Sequence, residues 1–408
     1  MSDWLVKRLD ELADRVAVKN SAGYKRVLTV AAGHGLVDQE TYFNKRVASS
    51  DLSGYWVVEP GDFVYNKSTS KDAPWGVVAR WDGDEPAVVT TLYIVFRPRP
   101  GVESDYLLHA CNSTFFFDSL RGMLREGARA HGLLNVRLRE FFGAQLVVPT
   151  PAEQRRVIDV MAAVDAQIAT LDAEVDAMRH LLRCALSDHF ESILGHQHSI
   201  KDLCSHVVGG IWGSPEGESE VDVLALGPRI YAPATSGFVT DGSPMRSFTQ
   251  KQVERRLVQP DDIILERSGG SPEQPVGRVV IAGSGLPPCI PTDFQRLMRP
   301  NVEKVEPRYL FWRLQHDWNV GLTRSYSRRT TGITNLSVKD YIAREVPIPD
   351  RNEQRALVSV ADAIDLSVSE MKIELGRLRI FRSALLKSLL NQEIEIPKSY
   401  DALLEEVS

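Results

Sequence analysis

Two stretches of the chain place apolar residues at alternating steps of four and three. In the first they fall at Val157, Met161, Val164, Ile168, Leu171, Val175, Met178, Leu182 and Ala185. In the second they fall at Leu357, Ala361, Ile364, Val368, Met371, Leu375, Leu378, Leu385 and Leu389. A four-three pattern sustained this long is a heptad seam, and it predicts a long helix with a helical partner. Arg382 interrupts the second seam, and Phe381 is expected to cover for it. Gly376 costs that helix about 1 kcal/mol relative to alanine. Both helices start sharply, with proline just upstream and Glu153 or Glu353 in the first turn, where the helix dipole favours negative charge. Each runs for about 38 residues, or about 57 Å at the α-helical rise. That is too long to cap a small domain, so the simplest partner for each helix is the other.

The stretches that precede the helices have a different texture. Phe63-Val64-Tyr65, Leu92 to Phe96, Ile263-Ile264-Leu265 and Val279-Val280-Ile281 are short apolar runs bounded by turn residues, and they predict strands. Leu107 to Leu120 and Tyr309 to Val320 predict short amphipathic helices. Each stretch therefore reads as an α+β module. The boundaries follow: residues 1–150 as the first module, 151–195 as the first long helix, 196–348 as the second module, 349–395 as the second long helix, and 396–408 as a tail.

The two halves are copies of one another at an offset of 200 residues. Glu153-Gln154-Arg155 answers to Glu353-Gln354-Arg355, and Pro60, Asp62 and Ser68 to Pro260, Asp262 and Ser268. Lys67 answers to Arg267, Arg99-Pro100 to Arg299-Pro300, Arg129, Gly132 and Asn135 to Arg329, Gly332 and Asn335, and Phe141 to Tyr341. The pairs Pro149/Pro151 and Pro347/Pro349 are read as slipping by two residues. The link Gly195 to Ser199 is short, so the second helix must return beside the first. The expected object is pseudo-two-fold: two modules on an antiparallel helical pair.

The charge changes this picture more than the bulk composition does. Among 408 residues, 48 basic and 54 acidic side chains give a net charge of −6, mildly against a free-standing nucleic-acid binder. The acidic total hides two basic segments. Residues 121–139 hold Arg121, Arg125, Arg129, Arg137 and Arg139 against Glu126 alone, and residues 321–339 hold Arg324, Arg328, Arg329 and Lys339 with no acid. One such run is ordinarily a solvated face. Recurrence at matching places points instead to duplex DNA, whose major groove faces the same side about every 34 Å and suits two heads on a spacer. Arg129, His131, Asn135, Arg328, Arg329, Thr331 and Asn335 are candidate phosphate contacts. Asn66, Lys67, Ser70, Arg267, Ser268 and Gln274, after the Pro60 and Pro260 turns, carry groups able to read base edges.

Catalytic signatures do not emerge. The sequence has no GxxxxGK[ST] phosphate loop and no Asp-Pro-Pro-Tyr or Asn-Pro-Pro-Tyr tetrapeptide. Asp62 and Asp262 lack the downstream Glu-x-Lys of a nuclease. His196 and His198 have no zinc-ligand spacing around them. No run approaches the roughly 18 apolar residues of a membrane span. Met1 to Asn20 read as no secretory signal. Cys111, Cys184, Cys204 and Cys289 form no close pair, so the expected location is the reducing cytoplasm.

The order of module, Pro-x-Pro…Glu-Gln-Arg helix, module and helix resembles the specificity subunit of type I restriction–modification systems (the HsdS family) over the whole chain. Pro149 to Asp165 and Pro347 to Asp365 resemble its conserved helical regions. Gly61 to Ser68 and Gly269-Gly270-Ser271-Pro272 resemble stretches of its target recognition domains. The resemblance implies two pseudo-symmetric target recognition domains joined by antiparallel coiled-coil helices, each domain reading half of a bipartite, asymmetric site. It implies a non-catalytic chain with no cofactor of its own, docking two methyltransferase subunits that use S-adenosylmethionine, with ATP-driven restriction subunits in the full complex. The rival readings are the DNA reader of a related methylation or phage-defence system without a type I nuclease, and a coiled-coil protein scaffold.

Overall fold

The computed structural model describes residues 4–31, 35–43, 46–68, 73–123, 129–130, 133–231, 236–270, 275–330 and 333–402. The chain forms two compact units. One holds residues 1–168 and 377–408, and the other holds residues 169–376. Each unit thus contains one module, the start of one long helix and the end of the other.

In the first unit a four-stranded antiparallel sheet runs in the order Ala13–Val16, Ile94–Pro98, Phe63–Asn66, Val77–Arg80. Its Phe63-Val64-Tyr65 strand is continuously apolar because both faces of the sheet are covered. Phe63 and Tyr65 join one core cluster and Val64 another. The first cluster is aromatic: Tyr65 stacks on Phe141 at 4.6 Å and Phe63 on Phe96 at 5.3 Å. The second unit repeats the sheet in the order Cys204–Gly209, Gln295–Pro300, Ile263–Glu266, Val279–Ile281. Ile263 and Leu265 face one core and Ile264 another. Tyr341 is fully buried where Phe141 is. The link expected after the first long helix is itself a strand, His196–Ser199, paired with Glu345–Ile348.

The predicted helix over 107–120 is two helices, Ser104–Cys111 and Thr114–Met123. The break comes from Asn112, whose side chain bonds the backbone N–H and C=O of Val78 at 3.0 and 2.8 Å. Ser113 then accepts a hydrogen bond from the Phe116 amide, restarting the helix.

The long helices are Pro151–Ser192 and Arg351–Leu390. Thr150 opens the first as an N-cap. The Glu153 carboxylate accepts from the Thr150 amide and hydroxyl at 3.0 and 2.7 Å, a capping box. Asp350 opens the second, its carboxylate accepting the Asn352 and Glu353 amides at 2.8 and 3.0 Å. The glutamine of each Glu-Gln-Arg donates to a proline carbonyl at 2.8 Å, Gln154 to Pro149 and Gln354 to Pro349. Pro149 therefore matches Pro349, and the two-residue slip read from the Pro-x-Pro pairs does not exist.

Within each unit the helices pack antiparallel, the start of one beside the end of the other. Val157 and Met161 share a core with Leu386, Leu389 and Leu390 in the first unit. Leu357 and Ala361 share one with Leu186 and Phe190 in the second, followed by Val175 against Ile364 and Val368. Arg382 is not covered by Phe381, which is exposed. It forms a two-pronged ion pair with Asp165 of the first helix, so the break in the apolar seam is a specific polar contact. Arg156 closes the first unit by a similar pair with Asp401 of the tail, at 2.6 and 2.7 Å.

Candidate nucleic-acid interface

The turn that opens each of the strands Phe63–Asn66 and Ile263–Glu266 is held by a buried aspartate, one strand length before Lys67 or Arg267. Gly61 and Asp261 both take the left-handed conformation, with φ of 85° and 67°, and donate to the equivalent carbonyls of Trp81 and Ala282. The next residue caps the turn. Asp62 accepts the Glu59 amide at 2.9 Å and both arms of Arg97 at 2.6 and 3.0 Å. Asp262 accepts the Gln259 amide at 2.7 Å and both arms of Arg299 at 2.8 and 2.7 Å. Both aspartates are buried and their oxygens are used. Arg299-Pro300 therefore corresponds to Arg97-Pro98, not to Arg99-Pro100. The sequence Arg97-Pro98-Arg99-Pro100 offers two registers, and the fold takes the one that reaches the aspartate.

In the second unit the structure brings the two candidate regions together. The Arg267 amide donates to the Phe294 carbonyl at 2.8 Å, and the Leu336 amide donates to the Arg267 carbonyl at 2.8 Å. One step on, Ser268–Gly269 joins the hairpin Ser327–Thr330/Ile333–Leu336 as a three-stranded sheet. Ser268 stands opposite Asn335 and donates its hydroxyl to the Asn335 Oδ1 at 2.5 Å. Arg328 lies across from Asn335 on the other side and is exposed. Arg329 pairs with Thr334 through its backbone.

In the first unit the Leu134 amide donates to the Lys67 carbonyl at 3.0 Å, and Arg129–Ala130 pairs with Leu133–Leu134. Asn66 ends its strand and accepts the Ser68 amide at 2.9 Å. Leu134 is thus the counterpart of Leu336, so Asn135, which is exposed, stands where Ser337 does rather than where Asn335 does. Ser70, His131, Gln274 and Thr331 lie outside the described residues, as do the side chains of Arg129 and Arg329.

Beside Arg267 runs an open groove of about 490 Å3 carrying Lys201, Arg267, Arg296 and Lys339 on a floor that includes Gly209 and Leu336. Among the described residues none of these four cations makes an ion pair. The Arg296 side chain donates to the Gln295 carbonyl at 2.8 Å. Burial, and then the neighbouring Arg267 guanidinium, lower the Arg296 pKa. A side chain on Gly209 would press on this guanidinium at 3.3 Å. Four cations with no ion pair among the described residues, on a concave surface, form a site for polyanions. Lys201 and Arg296 were not legible in the sequence: each is a single basic residue among residues of other kinds, and only the sheet places it beside Arg267.

The second unit also carries a proton-sensitive core. His316 is buried against Phe190, ring to ring at 5.3 Å. Burial, then the Arg313 charge, hold its pKa below the ordinary histidine value, and burial does the same for His189. The folded unit prefers neutral imidazole, whereas the unfolded chain takes up protons below about pH 6.5. The stabilisation is complete above that pH and is lost as pH falls. The melting temperature is expected to drop between pH 7.5 and 5.5, and His316→Gln to flatten part of that slope. An equal slope in the variant would count against this assignment.

Among the described residues, no helix is long and apolar enough to cross a membrane, and no cluster of three or more metal-ligating side chains occurs. No protein-family model matches the sequence, and no curated protein matches it. Solved structures do match it in fold. One comes from work on complex assembly and conformational transition of a type I restriction–modification system (TM-score 0.56, 16% identity, 95% of this chain and 97% of the other). Another is the S subunit of a type I restriction–modification system from M. genitalium (TM-score 0.50, 13% identity, 97% of each chain). The HsdS subunit of Thermoanaerobacter tengcongensis superposes more loosely (TM-score 0.40, 18% identity, 96% of this chain and 97% of the other). From end to end, the chain has the fold of a type I restriction–modification specificity subunit.

Proposed function

We propose that this chain is the DNA-specificity subunit of a type I restriction–modification complex. The observation that carries the reading is the matched assembly in both units. The loop of Lys67 or Arg267 is tied to a basic hairpin by the same backbone hydrogen bond, and in the second unit it borders a groove of cations that make no ion pair among the described residues. Such a surface binds phosphates and, beside them, presents Asn and Arg groups to base edges. Two non-identical heads would read the two halves of a bipartite, asymmetric site, and the length of the paired helices would fix the gap. The helices would dock two methyltransferase subunits, with restriction subunits joining in the full complex in the cytoplasm. The chemistry would belong to those partners, which would bind S-adenosylmethionine and ATP. This chain's residues would supply recognition and positioning.

The test is a methylome. The chain is expressed with the methyltransferase encoded beside it in a host lacking adenine methylation, and N6-methyladenine is mapped by single-molecule sequencing. The expected result is a split, asymmetric motif with a fixed gap that disappears when the chain is omitted. Methylation that persists unchanged without the chain, or two soluble proteins that never associate, would overturn the reading.

A further inference from the structure

A large apolar side chain projects into solvent at one equivalent place in both units. Leu92 is 55% exposed and Phe294 is 40% exposed. Each is the third residue of a four-residue turn that begins with threonine. The turn closes from the Tyr93 amide to the Thr90 carbonyl at 3.2 Å in one unit, and from the Gln295 amide to the Thr292 carbonyl at 2.9 Å in the other. The strands that follow pair identically, with Phe96 opposite Phe63 and Met298 opposite Ile263. The correspondence is therefore structural. It runs at an offset of 202, which a reading at 200 passes over.

Turn positions of this kind ordinarily carry small or polar residues. An isolated exposed leucine needs no explanation. The same exposure at the same turn of two diverged copies does. The surroundings are also the same. The Phe294 carbonyl accepts the amides of Arg267 and Ser268 at 2.8 and 3.1 Å, so its backbone is fixed to the loop that carries Arg267, which makes no ion pair among the described residues. In the first unit Tyr65 pairs with Ile94. Lys67 and Leu92 each stand two residues outside that pair, the last of the ladder, on the two chain segments that leave it at the same end. Each unit thus sets one apolar group beside one cation on a short, hydrogen-bonded turn.

We propose that Leu92 and Phe294 are specificity-determining contacts, each packing against the C5-methyl group of a thymine in the major groove of its own half-site. The argument rests on the DNA-reading function proposed above. The major groove is the one place on a duplex where an apolar group stands among hydrogen-bonding edges. The cation at Lys67 or Arg267 would meet the flanking phosphate or a guanine edge while the apolar side chain covers the methyl.

The test uses the full chain, in complex with its methyltransferase, and selection from a randomised duplex library. The wild type is expected to enrich a two-part motif with a thymine in each half. Leu92→Ala should lose the thymine preference in one half only and Phe294→Ala in the other, with the gap and the remaining bases unchanged. Phe294→Leu should retain it. Replacing that thymine by uracil, which removes only the methyl, should weaken wild-type binding about three- to tenfold and leave the alanine variant unaffected. Both side chains are exposed, so folding should be preserved. Unchanged motifs in both alanine variants, or indifference of the wild type to uracil, would overturn this proposal while leaving the DNA-reading function standing. A wild type that enriches no motif would overturn both.

Discussion

Reversing the charge of Arg267 and Arg296 together is expected to lower the affinity of the assembled complex for duplex DNA by about two orders of magnitude or more near 0.1 M salt. Both guanidiniums line one groove, and neither has an anionic partner among the described residues. Burial first, and then the neighbouring Arg267 charge, lower the pKa of Arg296 against the opposing pull of Asp293, and a phosphate would favour both cations. Each charge that reaches a phosphate also releases about one counterion. Arg267→Glu/Arg296→Glu would remove two favourable contacts and add two unfavourable ones, so the plot of affinity against salt should flatten by about two to four units of slope. Fluorescence anisotropy of a labelled duplex across a salt series measures both quantities. A variant with wild-type affinity and an unchanged slope would remove this groove from the interface. Arg278→Met offers a contrast. Arg278 sits beside the same loop but is fully used in a two-pronged pair with buried Glu266, at 2.9 and 2.6 Å. Its loss should therefore appear first in stability.

The parts of the molecule legible in the sequence are those with a period or a local chemical signature. The long helices show because a heptad seam is one-dimensional: Val157 and Met161, or Leu357 and Ala361, can be recognised without knowing what they touch. The strands Phe63–Asn66 and Ile263–Glu266 show because burial on both faces makes them continuously apolar. The register of the repeat was only partly legible. One offset of 200 holds for the helix starts and for Phe141 and Tyr341, but the strands ending in Pro98 and Pro300 sit at 202. The ion pairs Arg97–Asp62 and Arg299–Asp262, and the pairing of Phe96 with Phe63 and Met298 with Ile263, reveal that shift. The role of Arg382 was hidden because a charge in a seam reads as a defect until Asp165 is seen opposite it. Of the candidate contacts, Arg267, Ser268 and Asn335 lie together in the fold, a proximity that their positions along the chain do not indicate. Lys201, Arg296, Leu92 and Phe294 depend on sheet geometry and leave no pattern along the chain.

The same ion pairs lead to an unequal result in the two copies. Replacing Asp262 by alanine is expected to destabilise the second unit by about 3 kcal/mol, because it strips half-buried Arg299 of its carboxylate and the Gln259 amide of its acceptor in one step. Arg299 would keep only the Leu257 carbonyl, at 3.1 Å. Arg97 differs. Its second amino group also reaches Glu59 at 2.6 Å, so Asp62→Ala leaves that arginine an ionic partner, and the loss in the first unit should be smaller. For a unit of this size, 3 kcal/mol corresponds to roughly 6–12 °C in melting temperature. Hydrogen exchange localises it: amides of Ile263–Glu266 and Gln295–Pro300 should exchange a hundredfold or more faster in Asp262→Ala, and those of Phe63–Asn66 by a smaller factor in Asp62→Ala. Pairing Asp262→Leu with Arg299→Met should recover much of the loss, since two apolar groups of similar shape leave no charge to solvate. Equal effects in the two units would show that Glu59 contributes nothing to Arg97, and no effect in either would mean that the turn is held by its backbone hydrogen bonds alone. The expected inequality has a consequence for recognition. The Lys67 and Arg267 loops leave the far ends of the strands that these two aspartates anchor, so a substitution that loosens only the Ile263–Glu266 strand should blur the reading of one half-site while the other stays sharp.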